Sequence, residues 1–253
     1  MSEAIALVTG GSRGIGRATC QALSRQHWHV VAVGRDRAAL TDTSQSITAA
    51  GGVCDVAVCD ARDGSAIARS VREVEQRYGR VDLLVNNAGG GSSGRPHPTD
   101  ELPDEEWIDT IELNLTGAYR FCRAVVPAMK ARGSGCILNV ASVAAHTASN
   151  LSSSAYTAAK TGLVGFARHL AKEVGPHGIR VNTVAPGIIA SERVATKYES
   201  YTETERAGLL ARIPLGRIGG VEEVANVIAF LASDGASYIH GALIDVNGGL
   251  YMD

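Results

Sequence analysis

Ile5-Ala6-Leu7-Val8-Thr9-Gly10-Gly11-Ser12-Arg13-Gly14-Ile15-Gly16-Arg17-Ala18 is the stretch from which the rest of the chain can be read. A short apolar run passes through three spaced glycines into a segment of helical composition. Glycine permits a tight turn and lets the backbone come close to a bound group. The helix that follows begins with unpaired N–H donors and a partial positive charge, which together suit a pyrophosphate. The spacing is Gly10-x-x-x-Gly14-x-Gly16, not the Gly-x-Gly-x-x-Gly of the commoner dinucleotide fingerprint. What gives the glycines meaning is their place, directly after a strand and directly before a helix.

Outward from this stretch, apolar runs recur at 5–8, 30–33, 53–58, 81–85, 136–140, 179–184 and 243–246. They are apolar nearly throughout rather than alternating, as strands buried on both faces are. Between them, 15–26, 37–50, 65–78, 105–132 and 154–174 have the length and composition of helices. The alternation predicts right-handed crossovers and an α/β fold of Rossmann type, a seven-stranded parallel doubly wound sheet flanked by helices. No repeat, low-complexity tract or linker divides the chain, so residues 1–253 are expected to form a single domain. Residues 188–215 break the rhythm: they are polar, contain no strand-like run and reach Pro214 near their end. Ligands of open parallel sheets bind beyond the carboxyl ends of the strands, so this insertion is expected to be a substrate lid.

Composition narrows the function classes. Lys and Arg number 24 against 26 Asp and Glu, a net charge of −2 that gives no general reason to expect nucleic-acid or membrane-surface binding. No run approaches the roughly 18 apolar residues of a membrane span, and the N-terminus lacks the basic flank and cleavage site of a signal peptide. Five cysteines without a Cys-x-x-Cys pair read as reduced, mostly buried thiols, consistent with a cytoplasmic location. The seven histidines form no metal-ligand spacing, and no metal is expected. Tyr156 and Lys160, four apart in a helix, share one face. A phenol ionises only near pH ~10, and a cation about 4 Å away at an effective dielectric of ~20 favours phenolate by roughly 4 kcal/mol. The pair is therefore suited to general acid–base chemistry near neutrality. A serine-hydrolase reading competes poorly, because Ser142 lacks the Gly-x-Ser-x-Gly elbow.

With the Thr9-Gly10-x-x-x-Gly14-Ile15-Gly16 loop stand Asn86-Asn87-Ala88-Gly89, Asn114, Ser142, Tyr156-x-x-x-Lys160 and Pro186-Gly187, in that order. This set resembles the short-chain dehydrogenase/reductase family, and the pattern through Asp245-Val246-Asn247-Gly248-Gly249 looks most like its 3-oxoacyl-(acyl-carrier-protein) reductase branch. The resemblance implies that Ser142 orients a substrate carbonyl, Tyr156 supplies the proton, Lys160 also binds the nicotinamide ribose, and Asn114 positions a water leading to solvent. It implies a cofactor site of Thr9, Gly10, Ser12, Arg13, Gly14, Ile15 and Gly16, with Asp60 and Ala61 at the adenine. Asn87, Ala88 and Gly89 would line the ribose, and Pro186, Gly187, Ile189 and Ser191 the nicotinamide end.

In NAD-selective members an acidic residue stands immediately after the second strand; here Arg35 does, followed by Asp36. A guanidinium suits a 2′-phosphate, with Arg13 placed to help, so NADP(H) is preferred, while Asp36 leaves NAD(H) open. The implied reaction is NADPH-dependent reduction of a 3-oxoacyl thioester or similar ketone. The alternatives are an NAD-linked secondary-alcohol dehydrogenase and, from another class, a catalytically idle dinucleotide-binding scaffold. An acyl-carrier-protein or CoA thioester is the implied substrate carrier, with Lys130, Arg132 and Lys172 as a basic docking patch. Ser142 and Tyr156 stand 14 positions apart and the 90–103 loop is long for the branch, so both loops are expected to shape a specific pocket. A homotetramer or homodimer is implied, with small residues such as Ala118, Ala124, Ala128, Gly162 and Gly165 permitting close helix packing.

Overall fold

The computed structural model describes residues 4–91, 96–147 and 152–252. Seven strands, β1 (Ile5–Thr9), β2 (His29–Gly34), β3 (Cys54–Val58), β4 (Leu83–Asn86), β5 (Gly135–Val140), β6 (Ile179–Pro186) and β7 (Leu243–Val246), form one sheet in the order β3-β2-β1-β4-β5-β6-β7. Every pairing is parallel. The order reverses direction between β1 and β4, which opens a crevice at their carboxyl ends.

The strand period of two sorts the apolar residues onto two cores. Ala6, Val8, Val30, Ala32, Leu83, Val85, Leu138 and Val184 face one side with α1 (Gly14–Arg25). Ile5, Leu7, Val31, Val33, Leu84, Ile137 and Val181 face the other with α3 (Gly64–Tyr78). Both sides carry helices, which explains why the strand sequences are apolar throughout. The sheet is completed by α2 (Arg37–Ala49), α4 (Asp104–Ile111), α5 (Gly117–Arg132), α6 (Ser154–Val174), α7 (Glu192–Glu199), α8 (Glu203–Leu210) and α9 (Val221–Ala232).

Three elements differ from the sequence expectation. The single helix expected over 105–132 is interrupted by a π-helical turn, Glu112–Thr116, between α4 and α5. Asn114 lies in that turn, and its side-chain amide takes the carbonyl of Thr110 at 2.9 Å. The irregular insertion expected at 188–215 folds as α7 and α8. Thr202 caps α8 reciprocally with Glu205, a local signal in a stretch otherwise read as polar loop. Helix α9, which the alternation of runs did not single out, carries six buried apolar side chains and packs beside α1 on the first core.

Candidate functional site

The carboxyl ends of β1, β2, β4, β5 and β6 surround a cleft of 790 Å³. It begins at the glycine turn. Gly10 has φ +66°, in the left-handed region, and a Cβ on Gly16 would lie 2.0 Å from the Gly10 carbonyl oxygen. Only glycine lets α1 start this close to the strand end. No side chain caps the start of α1, so its first-turn N–H groups face the cleft unclaimed by a cap. Thr9 and Asn87 hold the turn in place. The Thr9 hydroxyl donates to Val85 O at 3.2 Å and accepts from the backbones of Asn87 and Ala88, each at 2.9 Å. The Asn87 amide donates to the carbonyls of Thr9 and Gly10.

At the end of β2 the charges are paired. Arg13 meets Asp36 at 2.5 Å, while the other Asp36 oxygen accepts the N–H of Ala39 and caps α2. The Ala39 hydrogen bond, with help from the Arg13 charge, holds the Asp36 carboxyl below its usual range. Arg35 stands 3.9 Å from Asp60. Asp60 is taken more closely by Arg62, at 2.9 Å and through the Arg62 backbone N–H, and the Arg62 contact lowers its carboxyl likewise. Arg35 is thus loosely held, and a ligand anion competes for it only against a carboxylate that Arg62 already neutralises. Cys59 also lines the cleft; burial pushes its thiol up to about 11, which keeps it protonated.

The opposite end of the cleft is built by β5 and α6. Ser142 follows β5 and caps a short 3₁₀ turn by accepting from Ala144 N at 3.2 Å. Tyr156 sits in the first turn of α6, which Ser153 caps through the Tyr156 N–H. Lys160 is 3% exposed, donates to Val140 O at 2.8 Å and places its ammonium 5.7 Å from the centre of the Tyr156 ring. A buried ammonium thus stands beside a single phenol ring. Gly89 fits between this lysine and Asn114: a Cβ there would lie 2.6 Å from Asn114 Oδ1 and 3.2 Å from Lys160 Nζ.

Every residue expected at the cofactor, from Thr9 through Ser191, lines this one cleft, as do Ser142, Tyr156 and Lys160. Asn114 does not. It is 1% exposed, and its side chain both accepts from Gly90 N at 2.9 Å and donates to Gly90 O at 3.0 Å. Its side chain therefore pins the 87–90 loop through both polar groups of Gly90.

A second cavity of 200 Å³ adjoins the cleft and shares Ser142, Tyr156, Gly187, Ile189 and Val194 with it. The sequence reading pointed to the segments of its other walls but to no single residue in them: Val143 and Ala144 come from the loop after Ser142, and Tyr198, Tyr201, Leu209 and Arg212 from the 188–215 insertion, while Leu250 was not foreseen. The polarity of 188–215 was the available signal for that insertion. The loop after Ser142 is tied down by His146, stacked on Tyr251 at 4.5 Å with its Nε2 3.1 Å from Asp245. Two parts of the expected pocket-shaping loops, 92–95 and 148–151, lie outside the described residues. In the expected docking patch, Lys130 pairs with Glu173 at 3.6 Å, and Arg132 donates to Val81 O at 2.7 Å.

A glycine turn against an uncapped helix at the sheet's switch point, with serine, tyrosine and buried lysine at the far end, defines a dinucleotide-dependent oxidoreductase site. The profile of one protein family, described as Enoyl-(Acyl carrier protein) reductase, matches residues 10–251. The chain belongs to the short-chain dehydrogenase/reductase family of oxidoreductases. It is 40% identical over 248 residues to the 3-oxoacyl-(acyl-carrier-protein) reductase FabG of Escherichia coli, covering 98% of this chain and 97% of that one. Among solved structures, an actinorhodin polyketide ketoreductase variant with NADPH superposes with a TM-score of 0.92 at 35% identity, covering 98% and 97% of the two chains. A 3-oxoacyl-(acyl-carrier-protein) reductase with bound NAD from Brucella melitensis gives 0.91 at 34% identity, covering 100% and 92%. Relatives thus carry either nicotinamide dinucleotide. Among the described residues no helix is long and apolar enough to cross a membrane, and no three metal-ligating side chains cluster.

Proposed function

We propose that the protein is an NADPH-dependent reductase that transfers a hydride to a substrate ketone, a 3-oxoacyl thioester or a related carbonyl, with Tyr156 as general acid. The observation that carries this reading is the shared wall: Ser142 and Tyr156 line both the large cleft and the smaller cavity, so they separate cofactor from substrate space. The cleft's residues fit a dinucleotide, because glycines at 10, 14 and 16 leave room for a pyrophosphate and the uncapped α1 supplies donors. A bound reduced nicotinamide supplies the hydride. Ser142 Oγ would donate a hydrogen bond to the carbonyl oxygen. Tyr156 would pass its hydroxyl proton to the same oxygen as negative charge develops there. Lys160 favours that transfer through its buried positive charge, and Asn114 keeps the 87–90 loop in place through Gly90.

Arg13 and Arg35 support the NADPH preference, since each is surface-exposed and able to grip a 2′-phosphate. The segment between Ile189 and Gly219 is the lid: its two ends meet in a parallel bridge, with Ala190 N on Gly219 O at 2.8 Å, and α7 and α8 close over the second cavity. The names of the curated relatives support ketone reduction, and the family description adds carbon–carbon double bonds as the competing substrate class.

The test is NADPH oxidation with 3-oxoacyl and 2-enoyl thioesters offered side by side. Ketone turnover is expected, and Tyr156→Phe should lower it by about 10²–10⁴-fold. Turnover of the enoyl thioester alone, or a Phe variant within tenfold of the parent, would overturn the reading.

A further inference from the structure

The second cavity is small, below the roughly 300–1,000 Å³ of ordinary ligand pockets, and its walls are mainly apolar or aromatic: Val143, Ile188, Tyr198, Leu209 and Leu250 among them. Among the described residues Arg212 is the one charged residue lining it, and no Asp or Glu does. Among the described residues neither Arg212 nor Arg206 makes an ion pair, but Arg206 is held by backbone carbonyls, its Nε and Nη2 donating to those of Tyr198 and Glu199. The Arg212 backbone is anchored, with its N–H on Leu209 O and both Leu209 and Ile213 buried, while its side chain is exposed. A cation without a carboxylate partner, on the wall of a mainly apolar cavity, is matched by an anion on the ligand.

From this cavity, with Ser142 and Tyr156 in one wall and an unpaired Arg212 in another, we infer that the preferred substrate is a short ketone bearing its own carboxylate, an oxo acid, which Arg212 selects. The inference rests on the carbonyl-reductase reading and narrows its substrate class. A thioester places neutral sulfur where the free acid places charge, and its long carrier arm would have to leave a cavity of only 200 Å³. The carboxylate of a simple oxo acid is ionised at neutral pH, so the pairing needs no unusual protonation state.

The experiment compares 3-oxobutanoate with its methyl ester and with its CoA thioester, as kcat/KM with NADPH, in the parent protein, Arg212→Leu and Arg212→Lys. A charge-assisted contact of this kind is worth about tenfold or more. The parent should favour the free acid over the methyl ester by at least that factor, the Leu variant should bring the acid-to-ester ratio near one, and the Lys variant should restore part of it. Equal or better use of either ester by the parent, or an unchanged ratio in the Leu variant, would overturn the inference. Calorimetric binding of the unreactive carboxylate butanoate, lost in Arg212→Leu at an unchanged melting temperature, tests the anion site without turnover. Absence of ketone reduction with every substrate would instead count against the reductase reading, while butanoate binding still decides the role of Arg212.

Discussion

Single atoms set what this cleft can hold. At Gly16 a methyl group would enter the Gly10 carbonyl, so only hydrogen fits without moving backbone, and at Gly89 it would displace the Asn114 and Lys160 side chains. Charge choice at the end of β2 is equally local. Asp36 was the residue that left NAD(H) open, and its two oxygens are committed to Arg13 and to the Ala39 N–H. Each of these oxygens keeps a lone pair for a ribose hydroxyl, whereas a 2′-phosphate competes with Asp36 for Arg13 and with Asp60, already held by Arg62, for Arg35. Arg13→Ala combined with Arg35→Ala is therefore expected to weaken NADPH binding about 100-fold and NADH binding only a few-fold, read by nicotinamide fluorescence titration. Equal losses for both would show that no 2′-phosphate is held there.

At the scale of elements, long-range side-chain contacts decide how strands and helices lock. The π-helical turn at Glu112–Thr116 lets Asn114 reach Gly90 while α4 and α5 continue on either side. At the opposite end of the sheet, β3 is fastened to β2 and α3 through Asp55, which accepts from the Tyr78 hydroxyl at 2.5 Å, lies 2.7 Å from His29 Nε2 and pairs with Arg77 at 3.3 Å. Burial pushes the Asp55 carboxyl up, but the hydrogen bonds from Tyr78 and His29 and the Arg77 charge outweigh it and hold it below its usual value. A depressed carboxyl contributes stability above its unfolded value near pH ~4 and loses it as pH falls through the folded value. Asp55→Asn should accordingly melt about 2–4 °C lower than the parent at pH 7, the equivalent of about 1 kcal/mol in a chain this long. The gap should close towards pH ~3; a gap constant with pH would mean that Asp55 acts by packing alone.

For the whole molecule, the open question is what covers the surface away from the cleft. Strand β7 is one edge of the sheet, and near it Phe230 on α9 is 48% exposed and Tyr238 fully so. On another face Trp107 and Ile108 of α4 and Tyr119 of α5 are also open to solvent. An uncovered edge with large apolar side chains beside it is a surface that proteins ordinarily bury. We propose that it pairs two copies of this chain, with the α4–α5 face available for a second pairing. Sedimentation should find a dimer or tetramer, and Phe230→Glu with Tyr238→Glu should shift it to a smaller species; a monomeric parent protein would overturn the proposal.

The sequence by itself determined the sheet, the glycine turn and the order of the Ser142, Tyr156 and Lys160 side chains, because each is written in local terms. Strands buried on two faces must be apolar throughout, a glycine turn before a helix must keep its spacing, and residues four apart on a helix must share a face. Only the tertiary structure decided where Asp36 and Asp60 spend their charge, that Asn114 serves the site through Gly90, and that α9 rather than a loop covers α1. It alone assembled the second cavity from Val143, Tyr198, Arg212 and Leu250, residues as far as 107 positions apart. Such partners are chosen by distance in space, and no window along the chain contains both members of the pair.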